Sequence, residues 1–359
     1  MDKIIFGLLG GGWRAEFYLR IARELPEQFA VGAVFVRNKD KAEALSRAWG
    51  VRVYTAIGEF ISAAGACSFT VVSLKKDIST AYLIGLAEAG IPVLAETPPA
   101  PDLAQLKELW RRAGRSATVQ IAEQYLFQPM HAARMAFAAS GRLGTVSQAQ
   151  VSAAHGYHGI SLIRRLLGIG FGNAGIRAQN FRSPIIRGPQ RSGPPSGEAV
   201  AQSVQTLATL DFGGQLGVFD FTGDQYFSWI RGSRVLVRGE RGEILNDDIS
   251  WLQDYDTPLF SRLRRIDAGH GGNLEGFYLK GIMAGGEWLY RNPFAPARLS
   301  EDEIAIAESL VRMQRHVQGG PSFYSLAEGC QDQYLALLLE QAAVSGETVV
   351  SQRQPWAAE

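Results

Sequence analysis

Phe6-Gly7-Leu8-Leu9-Gly10-Gly11-Gly12-Trp13-Arg14-Ala15 decides how this chain is read. Lys3 to Leu9 has the length and apolar content of a buried strand. Three glycines follow it. Trp13 to Leu25 then sets Ala15, Leu19, Ala22 and Leu25 on one helical face, and Pro26 stops the helix. Between a strand and a helix, the spacing Gly10-x-Gly12-x-x-Ala15 gives each small residue a task. Gly10 permits the tight turn, Gly12 lets a ligand approach the backbone, and Ala15 lets helix and strand pack closely. The free N–H groups of the first helical turn suit a pyrophosphate. A glycine-rich βα turn with no nucleotide is the alternative; the context on both sides favours a dinucleotide.

The same grammar continues outward. Phe29–Val36, Ser68–Leu74, Ile91–Ala95 and Thr118–Ala122 read as strands. Helical patterns lie between them at Asp40–Trp49, through Tyr82, Leu83, Leu86 and Ala87, and after the candidate cap Asp102. Strands alternating with crossover helices imply an α/β class, with a doubly wound parallel sheet over residues 1–123. Residues 124–359 read differently. A helix (Met130–Ala139) and a strand (Thr145–Ala153) are followed by a helix from Ser161 to Leu167 and a loop from Arg182 to Gly197. Strands at Ala199–Phe212 and Gln215–Phe221 join through Gly213-Gly214, a hairpin signal. Val235–Arg238 and Glu243–Leu245 continue the strands, and helices Glu301–His316 and Leu326–Val344 close the chain. This part is expected to be an α+β domain built on one large, open, mostly antiparallel sheet, its last helix packing back near the first domain.

Composition narrows the function. The chain has 359 residues, 40 of them glycine, with 36 basic and 35 acidic side chains. No basic stripe points to nucleic acid and no apolar run reaches the ~18 residues of a membrane span. Cys67 and Cys330 match neither a zinc pattern nor a redox pair, and no metal site is expected. The short apolar start is unlike a secretory signal, so a cytoplasmic protein is the expectation.

An acidic residue at the end of the second strand would bind the ribose 2′-hydroxyl of NAD. The residues there are Val36-Arg37-Asn38. Arg37 suits a 2′-phosphate and favours NADP over NAD; a solvated turn arginine is the alternative.

With these elements in order, the chain resembles the Gfo/Idh/MocA family of glucose–fructose oxidoreductase and inositol dehydrogenase. The resemblance rests on the glycine turn, on Ala87-Glu88-Ala89-Gly90-Ile91-Pro92-Val93-Leu94-Ala95-Glu96-Thr97-Pro98, on Gly141-Arg142-Leu143-Gly144-Thr145 and on His158 through Gly168. It implies NAD(P)-dependent oxidation or reduction of a carbohydrate or polyol carbon, with the second domain's sheet forming a homodimer or homotetramer. It implies a cofactor cleft lined by Gly10, Gly12, Trp13 and Arg14 and by Arg37 and Asn38. Leu74, Lys75, Glu96, Thr97 and Gln124 would complete that lining. Two departures stand out. Thr97 replaces the lysine of the family's Glu-Lys-Pro motif, and Ala154 replaces an aspartate four residues before the histidine. Ser161 stands where many members carry a further aspartate. His158 becomes the candidate acid/base, with Tyr157 or His155 orienting or replacing it, since an imidazole titrates near neutrality. The departures leave two other readings: a nucleotide-binding sensory protein without turnover, and a redox-neutral enzyme that recycles its NAD.

Lys75-Lys76-Asp77 and Glu123-Gln124-Tyr125 end strands and could face the cleft or serve structure alone. His270-Gly271-Gly272-Asn273 and Arg291-Asn292-Pro293-Phe294 look like shaped loops. Tyr226, Phe227 and Trp229 could stack on a sugar face, although their strand-like spacing suits a core.

Overall fold

The computed structural model describes residues 2–114, 118–269, 271 and 276–358. The first half runs β1 (Ile4–Leu9), α1 (Trp13–Glu24), β2 (Phe29–Phe35), α2 (Lys39–Trp49), β3 (Val53–Tyr54) and α3 (Ile57–Ala64). It continues through β4 (Phe69–Val72), α4 (Lys76–Glu88), β5 (Val93–Ala95), α5 (Leu103–Ala113) and β6 (Val119–Ile121). The six strands pair in parallel in the order β3-β2-β1-β4-β5-β6. The order reverses between β1 and β4, and in such a sheet a crevice for ligands opens there, outside the carboxyl ends of the strands. Local chemistry sets the helix ends. Asn38 caps α2 by accepting from Lys41 N at 2.8 Å, and Gly50, at φ 64°, ends it. Asp102 caps α5 through Gln105 N at 2.9 Å, as its position suggested. The short pair β3 and α3 is an addition to the expected elements; β3 has only two residues, too few to show a period.

The second half runs α6 (Pro129–Ala139), β7 (Val146–Ser152), α7 (Gly156–Leu167), β8 (Gly175–Ile186), β9 (Val200–Asp211) and β10 (Leu216–Thr222). Then follow β11 (Arg234–Gly239), β12 (Gly242–Leu245), β13 (Asp248–Leu252), β14 (Pro258–Arg262), β15 (Arg264–Ala268), β16 (Tyr278–Ala284) and β17 (Glu287–Arg291). The chain closes with α8 (Glu301–Val317), α9 (Leu326–Ser345) and β18 (Val349–Val350). Nine strands form an open sheet in the order β14-β13-β12-β11-β7-β10-β9-β8-β18. Its one parallel pair is β7 with β10; the hairpin of β9 and β10 turns through Gly213 and Gly214, both at positive φ.

Three expectations need correction. A separate three-stranded sheet, β15-β16-β17, accompanies the large one. The stretch from Arg182 is no loop until after Ile186, because β8 pairs with β9 in register as far as Ile186↔Val200; hydrogen bonding across the sheet overrides the Arg/Pro-rich composition. Helix α7 begins at Gly156, with His155 as its N-cap, and not at the expected Ser161, so His158 lies in the first helical turn.

One face of the large sheet is covered by α7, whose Ile160, Leu162, Ile163 and Leu166 are buried. Contact is close: a Cβ on Gly159 would lie 2.4 Å from the Phe219 ring. Phe181, Val200 and Phe260, all in strands of this sheet, are exposed. Helices α8 and α9 return to the first sheet. Arg20 of α1 meets Glu303 of α8 at 2.5 Å, and Ile121 N of β6 donates to Tyr324 O at 2.9 Å. A buried cluster ties α7 to α9: Arg164 pairs with Asp332 at 2.5 Å and Glu328 at 2.8 Å, and Tyr324 donates to Asp332. No described helix is long and apolar enough to cross a membrane.

Candidate functional site: a dinucleotide cleft beside a buried histidine

The glycine turn sits at the carboxyl end of β1. Gly10 has φ 122°, and a Cβ there would lie 2.0 Å from Ser73 O, so neither the conformation nor the space admits a side chain. Gly11 is blocked by Leu45 and Val36, whose atoms would lie 2.5 and 2.9 Å from an added Cβ. Gly12 differs: an added Cβ meets nothing within 4 Å. The fold does not need glycine there, whereas a ligand lying on the backbone would. Gly12 is also the N-cap of α1, with no side-chain cap bond. The first-turn N–H groups are thus left for an anion, the arrangement a pyrophosphate fits. Gly10, Gly12, Arg37, Asn38, Leu74 and Lys75 line one cleft. Lys41, Ile78 and Tyr82 line it too. Lys41 stands one turn into α2, where nothing local in the sequence marks it as facing a ligand.

The remaining candidates gather at the ends of β5 and β6. His158 is 5% exposed, and its Nδ1 lies 2.6 Å from Glu123 Oε2. Its Nε2 lies 3.3 Å from Thr97 Oγ1. Glu96, next to Thr97, accepts from Tyr18 OH at 2.6 Å and stands 3.9 Å from Arg14 Nε. Gln124, next to Glu123, accepts from Arg14 Nη2 at 3.1 Å and donates to Ala122 O at 2.9 Å. The contacts close a ring: Arg14 to Glu96, Thr97 to His158, His158 to Glu123, and Gln124 back to Arg14. Two pairs of chain neighbours at adjacent strand ends hold it together.

Aromatic rings wall the histidine in. Tyr125 lies against it with centroids 4.5 Å apart, and Tyr157 meets it edge-on at 5.2 Å. Tyr157 is 2% exposed, and its hydroxyl is buried without a partner among the described residues. His155 stands at the rim, its ring 4.8 Å from His158 and its N–H donating to Tyr226 OH at 3.0 Å. The core alternative for Tyr226, Phe227 and Trp229 does not hold. Tyr226 ends a 3-10 turn, and the three are 40%, 44% and 73% exposed, because the chain leaves the sheet after Thr222.

Burial controls the charge of the pair. It pushes the Glu123 carboxyl up to about 8, against hydrogen bonds from Tyr125 N–H and Ser161 that favour the carboxylate. It pushes His158 down to about 3, helped by the Arg14 charge. Both shifts oppose separate charges, so the pair shares one proton around neutrality. Glu123, two residues past β6, thus sets a carboxyl group against His158, while position 154 is a buried alanine. The sequence offered Glu123 only as a strand-end residue, and nothing in it shows that β6 would face the first turn of α7.

The other candidates lie apart. Asn292 is buried and closes its own turn, donating to Leu279 O at 2.7 Å and accepting from Phe294 N at 3.0 Å. His270, Gly272 and Asn273 lie outside the described residues; Gly271 has φ 62°. Lys75 is the N-cap of α4. No group of three or more His, Cys, Asp or Glu is placed to hold a metal among the described residues.

Residues 4–123 match the model of the GFO_IDH_MocA family, described as an oxidoreductase family with an NAD-binding Rossmann fold. No curated protein matches the chain. Among solved structures, levoglucosan dehydrogenase in complex with NADH and levoglucosan is similar, with TM-score 0.72 and 17% identity over 97% of this chain and 99% of that one. An oxidoreductase from Agrobacterium radiobacter, in complex with NAD+, L-tartaric acid and magnesium, has TM-score 0.68 and 14% identity, covering 97% and 98%. The WlbA dehydrogenase from Bordetella pertussis, with NADH and UDP-GlcNAcA, has TM-score 0.64 and 13% identity, covering 98% and 100%. At such identities the likeness is one of fold, and it spans both halves. The match to the Gfo/Idh/MocA oxidoreductase family model thus falls on residues 4–123, the part of the chain that holds the cleft and glycine turn just described.

Proposed function

We propose that this protein is an NAD(P)-dependent dehydrogenase acting on a carbohydrate or polyol carbon, with His158 as the acid/base. The observation that carries the reading is the Thr97–His158–Glu123 chain of contacts, set beside the dinucleotide cleft by α1, which begins at Gly12 and carries Arg14. Gly10, Gly12 and the first turn of α1 would hold the pyrophosphate, with Leu74 and Lys75 beside it. When bound, the nicotinamide supplies a hydride acceptor or donor. The protein's own task is the proton. His158 Nε2, the nitrogen not bonded to Glu123, carries the ring proton while the pair shares its own, and gives it to the carbonyl oxygen as the substrate is reduced; in the oxidising direction it takes the hydroxyl proton once the pair has lost the shared one. Glu123 fixes the tautomer through Nδ1 and meets the positive charge that develops on the ring. Thr97 orients the same Nε2 without competing for the proton, since its hydroxyl does not ionise near neutrality. Tyr125 and Tyr157 exclude water from the histidine.

Arg37, just past β2, and Lys41, in the first turn of α2, favour NADP: these two cations and no carboxylate line the cleft there, where a 2′-phosphate would lie. Sugar chemistry is supported by the similar fold of a dehydrogenase solved with levoglucosan and with L-sorbose. The exposed apolar residues of the nine-stranded sheet support pairing of two or four copies through that face. The thiols of Cys67 and Cys330 are free, in keeping with a reducing cytoplasm.

The test is deuteride transfer from labelled NADPH, and in reverse from labelled alcohols, over a panel of sugars, polyols and sugar acids. Transfer that His158→Ala abolishes is expected. Saturable NADPH binding with no transfer to or from any compound would sink the dehydrogenase reading in favour of a sensory protein. Copurifying NAD that is never consumed would point to the redox-neutral one.

A further inference from the structure

Arg14 Nη1 is buried and has no hydrogen-bond partner among the described residues. A guanidinium is charged at any pH a protein tolerates, and a buried donor on a charged group is costly to leave unpaired. The rest of the group is occupied. Nη2 donates to Gln124, Nε faces Glu96 at 3.9 Å, and the guanidinium carbon lies 5.1 Å from the centre of the Trp13 ring and 4.9 Å from that of Phe17. The nearby acids are engaged elsewhere: Glu96 Oε1 accepts from Tyr18, and Asp302 Oδ1 accepts from Gln128 at 2.6 Å. Among the described residues, then, none provides an acceptor to Nη1.

Its position makes that absence informative. In the ring of contacts around the site, Arg14 stands across from His158, and it is the ring's one permanent cation because position 97 is a threonine. An arginine cannot relay protons; it can hold an anion. Hydrogen bonds from a guanidinium to a carboxylate are roughly twice as strong as neutral ones and fit the planar donor geometry.

We propose that Arg14 is the receptor for a carboxylate carried by the substrate, so that the reacting compound is a sugar acid and not a neutral sugar or polyol. The proposal rests on the dehydrogenase reading for its reaction and on the unpaired donor for its chemistry. A carboxylate at Nη1 satisfies the buried donor and anchors one end of the molecule. A carbinol elsewhere on the same compound is then left to present its hydroxyl to His158.

Calorimetric titration of the NADPH-loaded protein tests this without turnover, since the reduced cofactor cannot oxidise an alcohol. The probes are D-gluconate and its neutral counterpart D-sorbitol. Gluconate is expected to bind at least about tenfold more tightly than sorbitol. Arg14→Met should weaken gluconate about ten- to a hundredfold and sorbitol by much less, so that the gluconate-to-sorbitol ratio falls towards one. Arg14→Lys, which keeps the charge and loses the planar fork, should retain part of the preference. It also keeps the test open should the methionine variant fail to melt cooperatively. Equal binding of the two probes by the unaltered protein would overturn the proposal. So would a gluconate-to-sorbitol ratio that survives both substitutions. A loss of NADPH affinity with an unchanged ratio would assign Nη1 to the cofactor instead. Failure of hydride transfer with gluconate bound counts against the dehydrogenase reading alone.

Discussion

His158 Nδ1 and Glu123 Oε2 lie 2.6 Å apart across 35 residues of sequence, one in the first turn of α7 and the other at the end of β6. That contact replaces a local arrangement with a long-range one. The family resemblance puts the carboxylate one helical turn before the histidine, where this chain has Ala154, which is buried. A carboxylate from the other half of the molecule can fix the same ring nitrogen, because the imidazole requires an acceptor at Nδ1 and not a particular chain position.

The direct consequence concerns turnover. His158→Ala should lower hydride transfer by about 10²–10⁴-fold, the usual worth of a positioned acid/base. NADPH affinity should stay within about threefold, because the histidine lies outside the residues lining the dinucleotide cleft. Stopped-flow transfer rates and fluorescence titration of NADPH separate the two effects.

Glu123 should also write itself into the pH dependence of stability. Folding raises Glu123 from 4.5 to about 8 and lowers His158 from 6.5 to about 3. The folded pair thus holds about one proton between those limits. The same two groups in the unfolded chain hold two protons below 4.5, one from 4.5 to 6.5, and none above. Stability from the pair therefore rises with pH up to 4.5, stays level to 6.5, and falls from there towards 8. The slopes are about 1.4 kcal/mol per pH unit. Glu123→Gln leaves only the histidine to titrate, so the fall above 6.5 should vanish. Urea midpoints of both proteins across the pH range give the difference curve.

Gly12 offers a test of the cofactor cleft that leaves the fold alone. Its added Cβ meets open space, so Gly12→Val should melt within about 1 kcal/mol of the unaltered protein. Its nucleotide affinity should fall at least about tenfold, because the new side chain occupies the approach to the first-turn N–H groups. Gly10→Ala is the contrast: at φ 122° and 2.0 Å from Ser73 O it should destabilise the fold as well.

Arg37 and Lys41 predict cofactor preference. Replacing both by Ala should raise the Kd for NADPH by about ten- to a hundredfold and change NADH by less than about threefold, since only the former carries the 2′-phosphate. Isothermal titration with each nucleotide reads the ratio. Equal losses for both would mean that the two cations serve the fold or the pyrophosphate.

Away from the site, the Arg164–Asp332 pair should dominate the attachment of α7 to α9. Arg164 is 1% exposed and holds Asp332, Glu328 and the Gly170 carbonyl. Arg164→Met leaves Asp332 buried without its cation and should cost about 3–5 kcal/mol in denaturant unfolding. Replacing both residues with apolar ones should recover much of that loss.

The sequence by itself determined the parallel sheet and the glycine turn between its first strand and helix. Each is written locally: apolar runs of strand length, a helical period, glycines at a spacing set by steric need. The end of β8 escaped a local reading because its pairing with β9, and not its own composition, holds it extended. The three-stranded sheet and the exposed Tyr226 turn likewise depend on what their neighbours cover. Tertiary structure alone decided the working arrangement of the site. It brought Glu123 to His158, closed the ring through Glu96 and Gln124, and left Arg14 with a buried donor. These are relations between side chains on different strands and helices, and they arise only when elements far apart in sequence pack into one core and exclude water from the groups between them.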